Sequence, residues 1–152
     1  MFQKILVPID GSNPAHNALV NALQIARIHG SEVEILHVMT FTEDLPEVPD
    51  KSGKKDAPDS WIDDYMTKVR KKDDKMLGDA VEEAKVLGLS DKVYSKLLIG
   101  KPGSIIIAEA SQGGFDLIVI GNRGLGGFKE FVLGSVSHQV VNESKIPVLV
   151  VK

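Results

Sequence analysis

Four glycines, Gly121, Gly124, Gly126 and Gly127, fall within seven residues, directly after a short apolar run. A fifth, Gly134, opens the segment Ser135-Val136-Ser137. Glycine admits positive φ and lets a ligand approach the main chain closely. A helix that starts after Gly134 offers unpaired N–H groups and a partial positive charge, both suited to an anion. Ser135 and Ser137 add hydroxyls at the same terminus, so the segment can cradle phosphate through amides and hydroxyls. The plainer alternative is a flexible turn followed by an ordinary serine N-cap, and these residues alone leave both open.

Two better-known phosphate loops are excluded. No Gly-Lys-Ser/Thr follows a glycine at P-loop spacing. Gly124-Leu125-Gly126 begins a G-x-G-x-x-G dinucleotide pattern, but Lys129 occupies the last glycine position and the segment follows the fourth strand rather than the first. Outside the loop, the chemistry-bearing residues are Asp10, in Pro8-Ile9-Asp10-Gly11-Ser12, and the cations Arg123 and Lys129. Asp10 suits either a ligand contact or a turn acid before a helix. Arg123 is a candidate phosphate partner, whereas Lys129 reads as a solvated charge. His16, His29, His37 and His138 lack metal-site spacing, and His37, inside an apolar run, reads as a satisfied core histidine. The charged run Lys68–Lys75 reads as a solvated helix face, and Trp61 as a packing residue.

These residues need elements to position them. Five apolar runs read as strands: Ile5–Ile9, Val33–Met39, Val93–Ile99, Leu117–Ile120 and Ile146–Val151. The first, fourth and fifth are nearly continuous, the pattern of strands covered on both faces. Between them lie helical segments. The first, from Asn13 to Gly30, has Ala15, Leu19, Ala22, Leu23 and Ala26 on one face. The second, from about Asp59 to Gly88, carries a stripe interrupted at Lys71–Asp74, which leaves room for a kink or fraying there. The third starts at Lys101-Pro102 and the fourth at Gly134-Ser135. The alternation implies one α/β domain over residues 1–152: a doubly wound, Rossmann-like, five-stranded parallel sheet with helices on both faces. Thr40–Pro58 breaks the rhythm and reads as a long mobile loop. Ligands in such sheets bind outside the carboxyl ends of the strands, where Asp10 and the glycine segment both fall.

Composition is consistent with this class. The chain has 152 residues, 43% of them apolar and 26% charged, and a net charge of −3. That mild balance gives no electrostatic reason to expect nucleic-acid or membrane binding. The absence of cysteine removes disulfides, zinc-thiolate sites and a cysteine nucleophile. The apolar stretch near Met1 is too short to span a membrane, and no signal-peptide cleavage site follows it, so the expected location is cytoplasmic.

Gly121-x2-Gly124-x9-Gly134-Ser135 matches, in every fixed position and spacing, the pattern of the ATP-binding branch of the universal stress proteins. Ile5–Ser12, Leu36-His37-Val38 and Pro147–Val150 also resemble that family, so the resemblance covers nearly the whole chain. It implies roles residue by residue. Pro8, Ile9 and Asp10 would line the nucleotide pocket, with Asp10 near the ribose or a magnesium ion. Val38 would meet the adenine edge through its main chain, and Ile120 and Gly121 would border the ribose. Gly124, Gly134, Ser135, Val136 and Ser137 would hold the phosphates. The resemblance further implies ATP and Mg2+ as ligands, a homodimer paired through the last strand, and an unidentified downstream protein. The expected function is a nucleotide-dependent regulator in the stress response, with little or no turnover and no catalytic residues. The alternative is a slow ATPase or a self-phosphorylating protein acting through Ser135 or Ser137. A flavodoxin-like or receiver domain is disfavoured, because Asp10 has no neighbouring acid and only Phe41 and Phe128 lie near the loops.

Overall fold

The computed structural model describes residues 1–40, 60–125 and 133–152, with side chains of the second span from residue 66 onward. The loop expected over Thr40–Pro58 lies outside the described residues beyond Thr40, as do Gly126, Gly127, Phe128, Lys129 and the side chain of Trp61.

Nine elements follow in strict alternation: β1 (Lys4–Pro8), α1 (Asn13–His29), β2 (Glu32–Met39), α2 (Ser60–Val86), β3 (Val93–Ile99), α3 (Pro102–Gln112), β4 (Leu117–Gly121), α4 (Ser135–Glu143) and β5 (Val148–Val151). The strands form one parallel sheet in the order β3-β2-β1-β4-β5. The chain winds outward from β1 to β3, then crosses to β4 on the other side. The doubly wound α/β architecture read from the alternation is the observed one.

β1 pairs with β2 over five residues, Lys4↔Glu32 through Pro8↔Leu36. It pairs with β4 only at Ile5↔Leu117 and Leu6↔Ile118. The two central strands therefore part beyond Leu6 and Ile118, toward their carboxyl ends.

Period-2 alternation divides the core between the two faces. Ile5, Val7, Val33, Ile35, Leu117 and Val119 face α1 and α2. Leu6, Leu36, Ile118 and Ile120 face α3 and α4. β1 beyond Lys4 and all of β4 are buried on both faces, as their composition requires. β5 is not, because it forms the sheet edge and leaves Leu149 exposed.

α1 packs through Ala15, Ala18, Leu19, Ala22, Leu23 and Ala26, a stripe mostly of alanine that brings the helix close to the sheet. Ser12 caps it by accepting from the Ala15 N–H at 3.3 Å, and Gly30 ends it at φ 71°. α2 runs unbroken through Lys71–Asp74, so no fraying interrupts it there. The reason is Asp73, which is buried and meets His37 of β2 instead of standing in solvent.

On the opposite face Glu34 of β2 is 4% exposed beneath α3, beside Glu109, which accepts from Lys96 at 2.7 Å. Burial, then the Glu109 charge, pushes the Glu34 carboxyl above its ordinary range. Among the described residues no helix is long and apolar enough to cross a membrane.

Candidate functional site

The parting of β1 from β4 opens a crevice at their carboxyl ends, the position where doubly wound sheets take ligands. β1 delivers Pro8, then Ile9 and Asp10, into this end. The Ile9 N–H donates to the Leu36 carbonyl at 2.8 Å, which extends the parallel ladder one residue past the strand. Gly11 then turns the chain at φ 84°, a conformation that favours glycine, and Ser12 starts α1.

Asp10 is half-buried, and both of its oxygens accept main-chain N–H groups. Oδ1 takes the Ser12 amide at 2.9 Å, an Asx turn, and Oδ2 takes the Leu125 amide at 3.2 Å. The helix N-cap is therefore Ser12, while Asp10 ties the β1–α1 turn to the glycine segment 115 residues away in sequence. The Ser12 hydroxyl lies 3.4 Å from the Arg123 carbonyl, a second link between the same two loops.

The three motif glycines that the structure describes have different surroundings. A Cβ on Gly121 would lie 2.7 Å from the Ala15 nitrogen and the Pro14 carbonyl carbon, so α1 packs directly on this residue. A Cβ on Gly124 would lie 2.4 Å from Asp10 Oδ2, so this glycine admits the acid. Gly134 is the N-cap of α4, with φ −73° and ψ 166°. A Cβ there would meet Arg123 Cα at 3.4 Å, the Asn122 oxygen at 3.6 Å and the Gly124 nitrogen at 3.7 Å, all ordinary contacts. Neither its φ nor its protein neighbours demand glycine at 134.

The Gly134 N–H donates to the Asn122 carbonyl at 2.7 Å, folding the amino end of α4 against the β4 loop. No side chain caps α4 at Gly134, and no acid stands in its first turn. Ser135 is exposed and Val136 half-buried. Ser137 is 3% exposed, and its hydroxyl lies 2.7 Å from the Asn122 carbonyl and 3.1 Å from that of Gly134. Its proton is thus committed to the loop, leaving Ser137 only acceptor capacity toward any ligand.

Val38 stands near the end of β2, at the same end of the sheet as Pro8–Asp10, with its side chain packed toward the α3–α4 core. Ile120 is likewise a core side chain, 5% exposed, so only its main chain can border the crevice. Pro8, Ile9, Asp10, Val38, Ile120, Gly121, Arg123, Gly124, Gly134, Ser135, Val136 and Ser137 all lie at this one end. On the α1–α2 side of the same turn a groove of about 470 Å3 is lined by Ile9, Gly11, Ser12, His16 and Met76, among others, but by no described residue of 121–137.

Among the described residues no group of three or more His, Asp or Glu side chains is arranged for a metal ion. Sequence reasoning passed over Ser12, Leu125 and the His37–Asp73 pair. Asp73 carried a usable signal: it stands four residues after Val69 and four before Leu77, on the apolar stripe of α2.

A family model described as the universal stress protein family matches residues 1–152. Universal stress protein YxiE of Bacillus subtilis (strain 168) is 38% identical, over 100% of both chains. Universal stress protein MJ0577 of Methanocaldococcus jannaschii is 29% identical over 100% of this chain and 96% of its own. Its solved structure superposes with a TM-score of 0.74. A universal stress protein solved in complex with cAMP is 25% identical, with a TM-score of 0.67, over 99% of this chain and 96% of that one. The crevice between β1 and β4, the glycines Gly121, Gly124 and Gly134 at the same end of the sheet and the match along the whole chain agree: this chain belongs to the universal stress protein family.

Proposed function

We propose that this protein binds ATP in the crevice and acts as a nucleotide-dependent regulator in the stress response, with little or no turnover. The observation that carries the reading is the amino end of α4. Gly134 leaves its first-turn amides without a capping side chain, beside the Asn122–Gly124 backbone, where a ligand phosphate would supply the missing acceptor. The cAMP complex of a relative with the same fold supports an adenine nucleotide as the ligand class.

Gly124, Gly134, Ser135 and Val136 hold the phosphates through main chain and the Ser135 hydroxyl, with Ser137 keeping the loop in shape behind them and Arg123 adding charge. Ile120 and Gly121 border the ribose, and Val38 reads adenine through its backbone. Asp10 turns toward the ribose or a magnesium ion. One carboxylate suits a magnesium held chiefly by the nucleotide's own phosphates, and the ion supplies charge neutralisation there. Fast phosphoryl transfer needs fixed cations and an oriented nucleophile around the γ-phosphate. Here the Ser137 proton is spent on carbonyls, which favours holding over cleaving. The same reading makes the protein a cytoplasmic homodimer that pairs through β5 and presents its loops to a downstream protein.

Calorimetric titration tests this. Wild type should bind ATP more tightly than GTP, and Gly134→Val should lose binding while keeping its circular dichroism spectrum. Equal ATP affinity in the two proteins refutes the site. Phosphate release from Mg-ATP at about 1 per second or faster refutes the binder.

A further inference from the structure

Glu34 is an acid in an apolar place. On β2 it alternates with Val33 and Ile35, so its side chain turns to the face that carries Leu6 and Leu36. α3 covers that face with Ile106 and Ala110 and sets Glu109 beside Glu34. Glu34 is 4% exposed, and among the described residues its Oε1 atom has no hydrogen-bond partner.

Four charged or titratable groups face it. Glu109 comes from α3, Lys96 and the cross-strand neighbour Tyr94 from β3, and Lys4 from β1. Both ammonium groups are engaged with other acceptors. Lys96 donates to Glu109 at 2.7 Å, and Lys4 donates to the Gly113 carbonyl at 2.9 Å. The Glu34 carboxyl is instead hydrogen-bonded to that of Glu109. Ionised carboxylates accept and cannot donate, so a hydrogen bond between two carboxyls contains a proton. An ionised Glu34 with one oxygen unpartnered at this depth would carry the full desolvation cost. Burial, then the Glu109 charge, accordingly raises the Glu34 carboxyl, against the opposing pull of Lys96 and Lys4.

With that proton in place, Glu34, Glu109 and Lys96 form a row of one acid, one carboxylate and one ammonium. Removing it sets a second negative charge beside the first, on the buried side of the row. The two charges belong to different elements, Glu34 to the sheet and Glu109 to α3. Their repulsion therefore acts across the contact between helix and sheet.

We propose that Glu34 and Glu109 share one proton that seats α3 on the sheet, and that its loss to solvent as pH rises loosens the helix. This catch stands independently of the nucleotide reading. The docked helix holds the proton, whereas undocking returns Glu34 to water and to an ordinary carboxyl. Docking is thus strongest below the ordinary 4.5 and weakens as pH rises through the folded value, by at most about tenfold per pH unit.

Two measurements test it. Carbon NMR of the side-chain carboxyls, with Glu34 assigned through its own bonded nuclei, should show Glu34 still protonated above 4.5. Glu109→Gln should bring its midpoint down, because glutamine carries no charge and can donate to a carboxylate. Lys96→Met should push the midpoint further up. A Glu34 midpoint at 4.5 or below overturns the shared proton. Amide hydrogen exchange from about pH 5 to 8 then reads the seat. Amides of α3 should exchange through an opening less costly than that of β1 and β4. Their rate relative to Glu34→Gln, a ratio in which the intrinsic pH dependence of exchange cancels, should rise with pH by up to about tenfold per unit. If Glu34→Gln does not fold, Glu109→Gln is the reference, since it too removes the shared proton. A ratio independent of pH, or α3 amides that exchange no faster than those of the central strands, overturns the catch.

Discussion

Gly121→Ala should destabilise the fold, although Gly121 is the first glycine of a segment that otherwise reads as ligand-facing. The added methyl would stand 2.7 Å from the Ala15 nitrogen and the Pro14 carbonyl carbon, and 2.9 Å from the Pro14 oxygen. Ordinary contact begins at 3.4 Å, so the gap must widen by about 3.4 − 2.7 = 0.7 Å. Both obstacles are backbone, and no rotamer change relieves them. Either α1 moves off β4, disturbing Ala15, Ala18 and Leu19, or β4 moves against its ladder with β5. Overpacking of this kind costs about 1–3 kcal/mol. The smaller entropy of the unfolded alanine chain returns about 0.4–1 kcal/mol, so the middle of each range leaves a net loss of about 2 − 0.7 = 1.3 kcal/mol. For a chain of this length the melting temperature should then fall by roughly 3–5 °C. Urea denaturation followed by far-ultraviolet circular dichroism should show a lower midpoint with an unchanged m-value. A midpoint equal to wild type would refute the packing argument. Gly134 is the control, because its contacts at 3.4–3.7 Å and its φ of −73° let Gly134→Ala fold with stability close to wild type.

Two further outcomes follow from the sheet. Glu34 has a carboxyl raised above its ordinary 4.5 by burial and by Glu109, so the folded state binds its proton more tightly than the unfolded chain does. Its stabilising contribution is complete below that ordinary value and is lost as pH rises through the folded one. Glu34→Gln should therefore be more stable than wild type at about pH 8 in urea titrations, with the difference changing by at most about 1.4 kcal/mol per pH unit and closing in acid; a pH-independent difference would refute it. Leu149 is 38% exposed on the edge strand β5, and Leu149→Lys should sediment as monomer at about micromolar concentration while wild type sediments as dimer. A wild-type monomer would remove the proposed interface.

The order of elements was legible in the residues because each boundary carries its own chemistry. Gly30 stops α1, Pro102 starts α3 and Gly134 starts α4, and the strands between are dense in valine, isoleucine and leucine. β5 looked buried because composition does not distinguish a central strand from an apolar edge. The gathering of Asp10 and the glycine segment at one end follows from parallel topology alone. Which motif glycine serves the fold was not legible, since it depends on how closely an alanine-faced helix settles on β4. Asp73 was misjudged for a different reason. Lys71-Lys72-Asp73-Asp74-Lys75 reads by composition as solvent-facing, and only helical phase against Val69 and Leu77 separates the one inward carboxylate from its neighbours. The buried Glu34 carried no comparable signal.

The short ladder between β1 and β4 has a mechanical consequence. Only two residue pairs join the strands at the centre of the sheet, Ile5↔Leu117 and Leu6↔Ile118, whereas β2 and β3 share seven. The seam at the middle is thus weaker in hydrogen bonds than the rows outside it, and α1, pressed across it through Gly121, acts as its splint. Force or thermal motion that spreads the seam would first strain the first turn of α1, where Ser12 and Asp10 already hold the glycine segment. The shortest ladder of the sheet is thus the one whose open end forms the crevice.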